Sequence, residues 1–168
     1  MNTVPANDIA PILLFGIGNP SRGDDAIGPL AIEQLQVFEL SGIELLTDFQ
    51  LQVEHALDLV GRREVVFIDA AASGAEPFRL EPVFPAANNT AMTHALSPAA
   101  VLEAFERVMD VPLPDVFSLA VRGYEFELGT AMSSAAAANL DAAVRMLVSR
   151  FTQAPDDCTA AVGTDTHG

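Results

Sequence analysis

The 168-residue chain carries 8 Lys plus Arg against 23 Asp plus Glu, a formal charge of −15, and 50% of it is hydrophobic. That length suits one globular domain burying roughly 70% of its unfolded surface, and so acidic a surface repels nucleic-acid phosphates and anionic lipid alike. Cys158 is the only cysteine, which excludes an internal disulfide, a cysteine-clustered zinc site and an iron–sulfur centre from this chain alone. The first eleven residues have neither a basic n-region nor an apolar h-region, and no later apolar run approaches the ~18 residues of a membrane span, so a cytoplasmic protein is expected.

In chain order, residues 1–10 read as a polar, flexible lead. Ile12-Leu13-Leu14-Phe15 is a continuous apolar run, as in parallel strands covered on both faces. A loop with three glycines, a proline and the pair Asp24-Asp25 follows, and Ile27, Leu30, Leu35 and Phe38 then recur near helical spacing from Ala26 to Leu40, where Ser41-Gly42 is the expected stop. Ile43 to Phe49 reads as a second strand, Gln52 to Gly61 as a short helix, and Glu64 to Asp69 as a third strand. Phe78 to Phe84 is predicted near a sheet edge, because Pro77 and Pro82 limit its pairing. Residues 85–95 read as irregular, and Ser97-Pro98 opens a helix to about Met109 that Pro112 and Pro114 break. Val116 to Val121 is a further buried strand, Arg122 to Ala131 a loop, and Ser133 or Ser134 caps a last helix to about Phe151. The tail 152–168 has no periodicity and is expected to be disordered. Strands alternating with helices predict one α/β domain over 11–151, a three-layer sandwich with a mostly parallel twisted sheet and helices on both faces, of the phosphorylase/hydrolase-like kind.

Ligands in such folds lie outside the carboxyl ends of the strands, which sorts the polar residues. Asp69 ends an apolar strand and is followed by Ala70-Ala71-Ala72, so its charge needs either a cation or several backbone donors, and position alone leaves both open. His94, one of three histidines, stands before the Ser97 helix; alone it reads as structural more readily than as a ligand. Of Asp24 and Asp25, one is accounted for as a helix cap and the other as a solvated charge. Together, two carboxylate oxygens and an imidazole from separate loops form an incomplete coordination sphere for a borderline divalent metal such as nickel or zinc.

Other readings fail. Gly16-Ile17-Gly18 begins like a dinucleotide fingerprint, but Ser21 replaces the third glycine and Asn19-Pro20 obstructs the expected helix start. His55 follows Glu54 without the second histidine of a His-Glu-x-x-His site. Neither Ser73 nor Cys158 sits in a nucleophile frame. Gly16 to Pro20 also resembles the opening of peptidyl-tRNA hydrolase, but the polar residues that family carries next are absent and its substrate prefers a basic surface.

The segment Gly16-Ile-Gly-Asn-Pro-Ser-Arg-Gly-Asp-Asp-Ala-Ile-Gly-Pro29 resembles the signature of the hydrogenase maturation endopeptidases, which trim the C-terminus of the [NiFe]-hydrogenase large subunit. Val66-Phe-Ile-Asp-Ala70, Thr93-His-Ala-Leu-Ser-Pro98, Gly123-Tyr-Glu-Phe-Glu127 and Met132-Ser133 resemble later parts of the family in order, so the likeness spans about Pro11 to Arg150. It implies an aspartyl-type, nickel-dependent endopeptidase in which Asp25, Asp69 and His94 complete the coordination of nickel carried by the precursor; zinc or cadmium could occupy the same site. Asp24 would be an auxiliary base or cap and Asn19 a donor to the peptide. Aspartate at position 25, where some members have glutamate, is one methylene shorter and brings its helix closer to the metal. Phe49-Gln50-Leu51-Gln52, with Glu54, replaces the family's usual Gly-Thr pair and resembles the branch acting on soluble bidirectional hydrogenases. A monomer is expected, since the precursor must enter the site. The alternatives are a metal-binding maturation chaperone that does not cut, and a metal-dependent hydrolase of small substrates.

Overall fold

The apolar run at Ile12 has no polar side to give to water, so it requires a strand covered on both faces. The computed structural model of the chain, which describes residues 8–87 and 95–153, places it there. β1 (Ile12–Ile17) is buried at every position and pairs in parallel with β2 (Ile43–Asp48) on one side and β3 (Glu64–Ala71) on the other. β5 (Asp115–Arg122) extends the parallel sheet beside β3, and β4 (Phe78–Pro82) closes the edge antiparallel to β5, giving the order β2-β1-β3-β5-β4. Pro82 sits at the end of that edge strand, where a missing N–H costs the sheet least.

Strand alternation divides the core into two layers. Leu14, Val66, Ile68 and Leu119 face α1 (Ile27–Gln36) and α3 (Ser134–Thr152), meeting Ile27, Ala31, Leu35, Leu140, Ala143 and Leu147. Leu13, Phe15, Val65 and Phe67 face the opposite way, onto α2 (Pro98–Val108) and a 3-10 turn at Val53–Leu59. The three-layer sandwich expected from the alternation of strands and helices is the one observed. Full burial of Phe15, Phe67 and Phe105 contributes about 1.5–3 kcal/mol for each side chain.

The helix starts follow their caps. Ser97 Oγ accepts the Ala100 N–H at 3.2 Å with Pro98 in the first turn, and Ser133 rather than Ser134 caps α3, its Oγ accepting the Ala136 N–H at 3.2 Å. The first helix differs from expectation at both ends. It begins as a 3-10 turn at Gly23–Ala26 and stops at Gln36, not near Leu40. Val37 and Phe38 are exposed, and the chain turns back to enter β2 with Glu39 and Gly42 at positive φ. The helix expected over 52–61 is the 3-10 turn at Val53–Leu59.

Candidate functional site

β1 leads leftward to β2 through α1 while β3 lies to its right, so the sheet order reverses between the carboxyl ends of β1 and β3. In open α/β sheets a crevice forms at this point. Here it is a cleft of about 500 Å³ whose walls include Gly18, Asn19, Arg22, Asp25, Gln50, Asp69 and Ser97. Asp25 and Asp69, placed by sequence on two different loops, are brought together in it.

Asp25 reaches the cleft because α1 starts pressed against the end of β1. A Cβ on Gly28 would lie 2.1 Å from the Ile17 carbonyl oxygen, and one on Gly18, at φ +145°, only 2.0 Å from the Asp25 carbonyl oxygen. Only glycine allows this approach. The Asn19 N–H then donates to Asp25 Oδ2 at 2.7 Å, while Asn19 Oδ1 accepts the Ser21 N–H at 2.9 Å, so the loop orients its own carboxylate.

Asp69 continues β3 opposite Ala120 of β5, and its Oδ1 accepts the Ala70 N–H at 2.8 Å. Burial pushes its carboxyl up to about 6 against the lowering effect of that bond, and the negative charge of Asp25 adds to the rise. Among the described residues no Arg or His stands in ion-pair contact with it. Among the described residues neither carboxylate of the cleft has a basic group in ion-pair contact, an arrangement whose electrostatics favour an incoming positive charge.

His94 lies outside the described residues. The described chain resumes at Ala95, and Ala95 and Leu96 are in the cleft wall, with the Leu96 N–H donating to the Leu51 carbonyl at 3.2 Å. Among the described residues no group of three or more His, Cys, Asp or Glu side chains is arranged to hold a metal ion. Two oxygen donors from Asp25 and Asp69 are what the described residues supply, a hard, anionic set that fits a divalent cation completed by further ligands.

Asp24 is not a base in the cleft and does not cap its own helix. It is fully buried and turned the other way: Oδ2 accepts the Tyr124 N–H at 2.7 Å, the Glu125 N–H at 2.9 Å and the Ser133 hydroxyl at 2.8 Å, and Oδ1 the Ser133 N–H at 2.7 Å. Burial raises its pKa, but the bonds from Glu125, Ser133 and Tyr124 prevail and hold the carboxyl below the ordinary 3.8. Its work is to staple the loop after β5 and the start of α3 to the turn that carries Asp25.

His55 is a structural histidine. Its Nδ1 accepts the Gln52 N–H at 2.8 Å, which leaves Nε2 to donate to Asp48 Oδ2 at 3.1 Å, and its ring stands edge-on to Phe15 with centroids 4.9 Å apart. Arg22, Phe49, Gln50 and Ser97 also line the cleft. In the sequence they stand out only as parts of a loop, strand end or cap and within the segments that carry the family resemblance, since none has a spacing that by itself marks a site.

No protein-family model matches the sequence, and no curated protein does so. The fold, however, is that of the solved hydrogenase maturation proteases, a class of peptidases built on this sandwich. The [NiFe] hydrogenase maturation protease HycI from Thermococcus kodakarensis is 19% identical with a TM-score of 0.64, the likeness covering 90% of this chain and 100% of that one. The hydrogenase maturating endopeptidase HybD from Escherichia coli is 20% identical, with a TM-score of 0.63 over 83% of this chain and 90% of that one. A third, an Escherichia coli endopeptidase solved in solution, is 22% identical, with a TM-score of 0.66 over 82% and 90%. Among the described residues no helix is long and apolar enough to cross a membrane.

Proposed function

We propose that this chain is a hydrogenase maturation endopeptidase that removes the C-terminal extension of a nickel-loaded [NiFe]-hydrogenase large-subunit precursor. The observation that carries the reading is the meeting of Asp25 and Asp69 in one cleft at the switch point of a sheet shared with solved proteases of that name. Nickel arrives as part of the substrate. Asp25, held by the Asn19 N–H, and Asp69 each offer it an oxygen, and His94 offers a nitrogen. Asp69 binds its proton more tightly than an ordinary aspartate, so docking of the cation displaces that proton where it is still present. A divalent cation so placed polarises a carbonyl or lowers the pKa of a water, by several kcal/mol in barrier terms. Cleavage then follows metal insertion, because an empty precursor has nothing to fill the anionic cleft. The protease acts as a monomer, and zinc or cadmium substitutes for nickel in the same donor set.

The test is mass spectrometry of the precursor's C-terminus after incubation with wild type, Asp25→Ala, Asp69→Ala and His94→Ala. Nickel-loaded precursor is expected to lose its extension only with wild type, and nickel-free precursor with none. Cutting of nickel-free precursor, or full activity in all three variants, overturns the reading; an unchanged mass with stable binding points instead to a chaperone.

A further inference from the structure

The eight basic residues of the chain are all arginines, and four of them pair with carboxylates: Arg62 with Glu44, Arg79 with Glu81, Arg107 with Glu103 and Arg150 with Glu64. Arg22 does not. It is the one basic side chain lining the cleft among the described residues, it is exposed, and no described carboxylate stands within 4.0 Å of its guanidinium nitrogens. Its Nε donates to the Phe126 carbonyl at 3.3 Å, which aims the side chain and spends one of the five guanidinium N–H groups. The backbone beneath it is firm, with the Arg22 N–H donating to the Asn19 carbonyl at 3.1 Å and the Asp25 N–H to the Arg22 carbonyl at 3.0 Å. The guanidinium therefore projects from the same turn that carries Asp25, with its terminal nitrogens available to whatever lies in the cleft.

We propose that Arg22 is a positioning residue that donates its terminal N–H groups to a backbone carbonyl of the substrate's extended C-terminal segment beside the cleavage point. The inference rests on the endopeptidase reading. An extended peptide leaves its carbonyls unsatisfied unless the cleft supplies donors, and Arg22 supplies several in a planar fork. A neutral carbonyl fits better than a carboxylate, because Asp25 and Asp69 on the cleft wall repel a further anion. Exposure at the rim suits holding the bound chain in place; stabilising charge at the reacting atom requires a donor excluded from water.

The test uses the full-length chain and nickel-loaded precursor, comparing wild type with Arg22→Ala, Arg22→Lys and Arg145→Ala, the last removing one exposed positive charge away from the cleft. KM and the precursor's Kd are expected to rise about tenfold or more in Arg22→Ala, as for loss of a hydrogen bond from a charged donor, with kcat and Tm little changed. Arg22→Lys recovers part of the loss, Arg145→Ala shows none, and the factor is the same at low and high salt. Unchanged KM and Kd in Arg22→Ala overturn the inference. So does an equal loss in Arg145→Ala, a loss confined to kcat, or a loss that vanishes at high salt, which marks a carboxylate as the partner. If wild type binds the loaded precursor without cutting it, the endopeptidase reading falls and Arg22 is judged on Kd alone; if wild type does not bind it, both fall.

Discussion

Ser133 donates to Asp24 twice, its N–H to Oδ1 at 2.7 Å and its hydroxyl to Oδ2 at 2.8 Å. The same hydroxyl accepts the Ala136 N–H at the head of α3, so the buried carboxylate and the helix cap are one network. Its strength comes from charge-assisted bonds in a dry setting.

Asp24→Asn places an amide where four donors converge, and its own N–H groups then face donors. The variant is expected to lose about 2–4 kcal/mol of stability at neutral pH, read by urea denaturation. The pH dependence has a definite sign. A carboxyl whose folded pKa lies below 3.8 contributes stability that is fully present above the unfolded value and is lost as pH falls through the folded one. The gap between wild type and Asp24→Asn therefore narrows below about pH 4; a gap constant down to pH 2 refutes the assignment.

Asp69 runs the other way. Its folded pKa of about 6 lies above the ordinary 3.8, so the stabilising difference is fully present below 3.8 and disappears as pH rises through 6. At pH 7 the ionised, uncompensated carboxylate is a burden, and Asp69→Asn is expected to raise the stability of the metal-free protein by about 1–2 kcal/mol while abolishing cleavage. Denaturation curves at pH 4 and pH 7 check it: the gain belongs to pH 7, and its presence at both values would contradict the assigned cause.

Millimolar cadmium or zinc added to the isolated protein is expected to raise Tm of wild type, by about 1.4 kcal/mol of stability at tenfold excess over Kd. Asp25→Ala and Asp69→Ala should lose that response. A retained shift in both places the metal elsewhere.

Gly18→Ala pushes a Cβ against the Asp25 carbonyl oxygen at 2.0 Å from a backbone at φ +145°. Because the contact is backbone on backbone, relief requires the Gly23–Ala26 turn to lift away from the end of β1, and a loss of at least ~2 kcal/mol is expected together with loss of cleavage. A variant of unchanged Tm would show the approach to be looser than described.

His55→Ala removes the bonds to Asp48 and the Gln52 N–H and the edge contact with Phe15. A cost of about 1–3 kcal/mol is expected, with nickel-dependent cleavage retained at temperatures where the variant is folded. Loss of nickel dependence in a folded variant would assign the histidine to the metal instead.

Much of the architecture is local and was readable without coordinates. The apolar runs at Ile12 and Val65 demand burial on both faces, Ser97-Pro98 announces a helix start, and alternating strands and helices leave few alternatives to a parallel sheet with two helical layers. Asp69 at the end of such a strand is placed at the ligand-binding edge by the same logic. What the residues by themselves could not sort was Asp24 from Asp25, and only the family resemblance singled out Asp25 as the ligand. Two neighbouring aspartates are chemically alike, and their fates diverge through partners far along the chain: Tyr124, Glu125 and Ser133, each 100 or more residues from Asp24, draw it inward, while Asn19 holds Asp25 at the cleft. Local sequence determines most of the elements, and their starts where a serine cap marks them as at Ser97 and Ser133, since propensity, capping and burial act over a few residues. Which carboxylate is buried and which lines the cleft, and which arginine lines it beside them, was decided only when folding brought distant parts of the chain into reach.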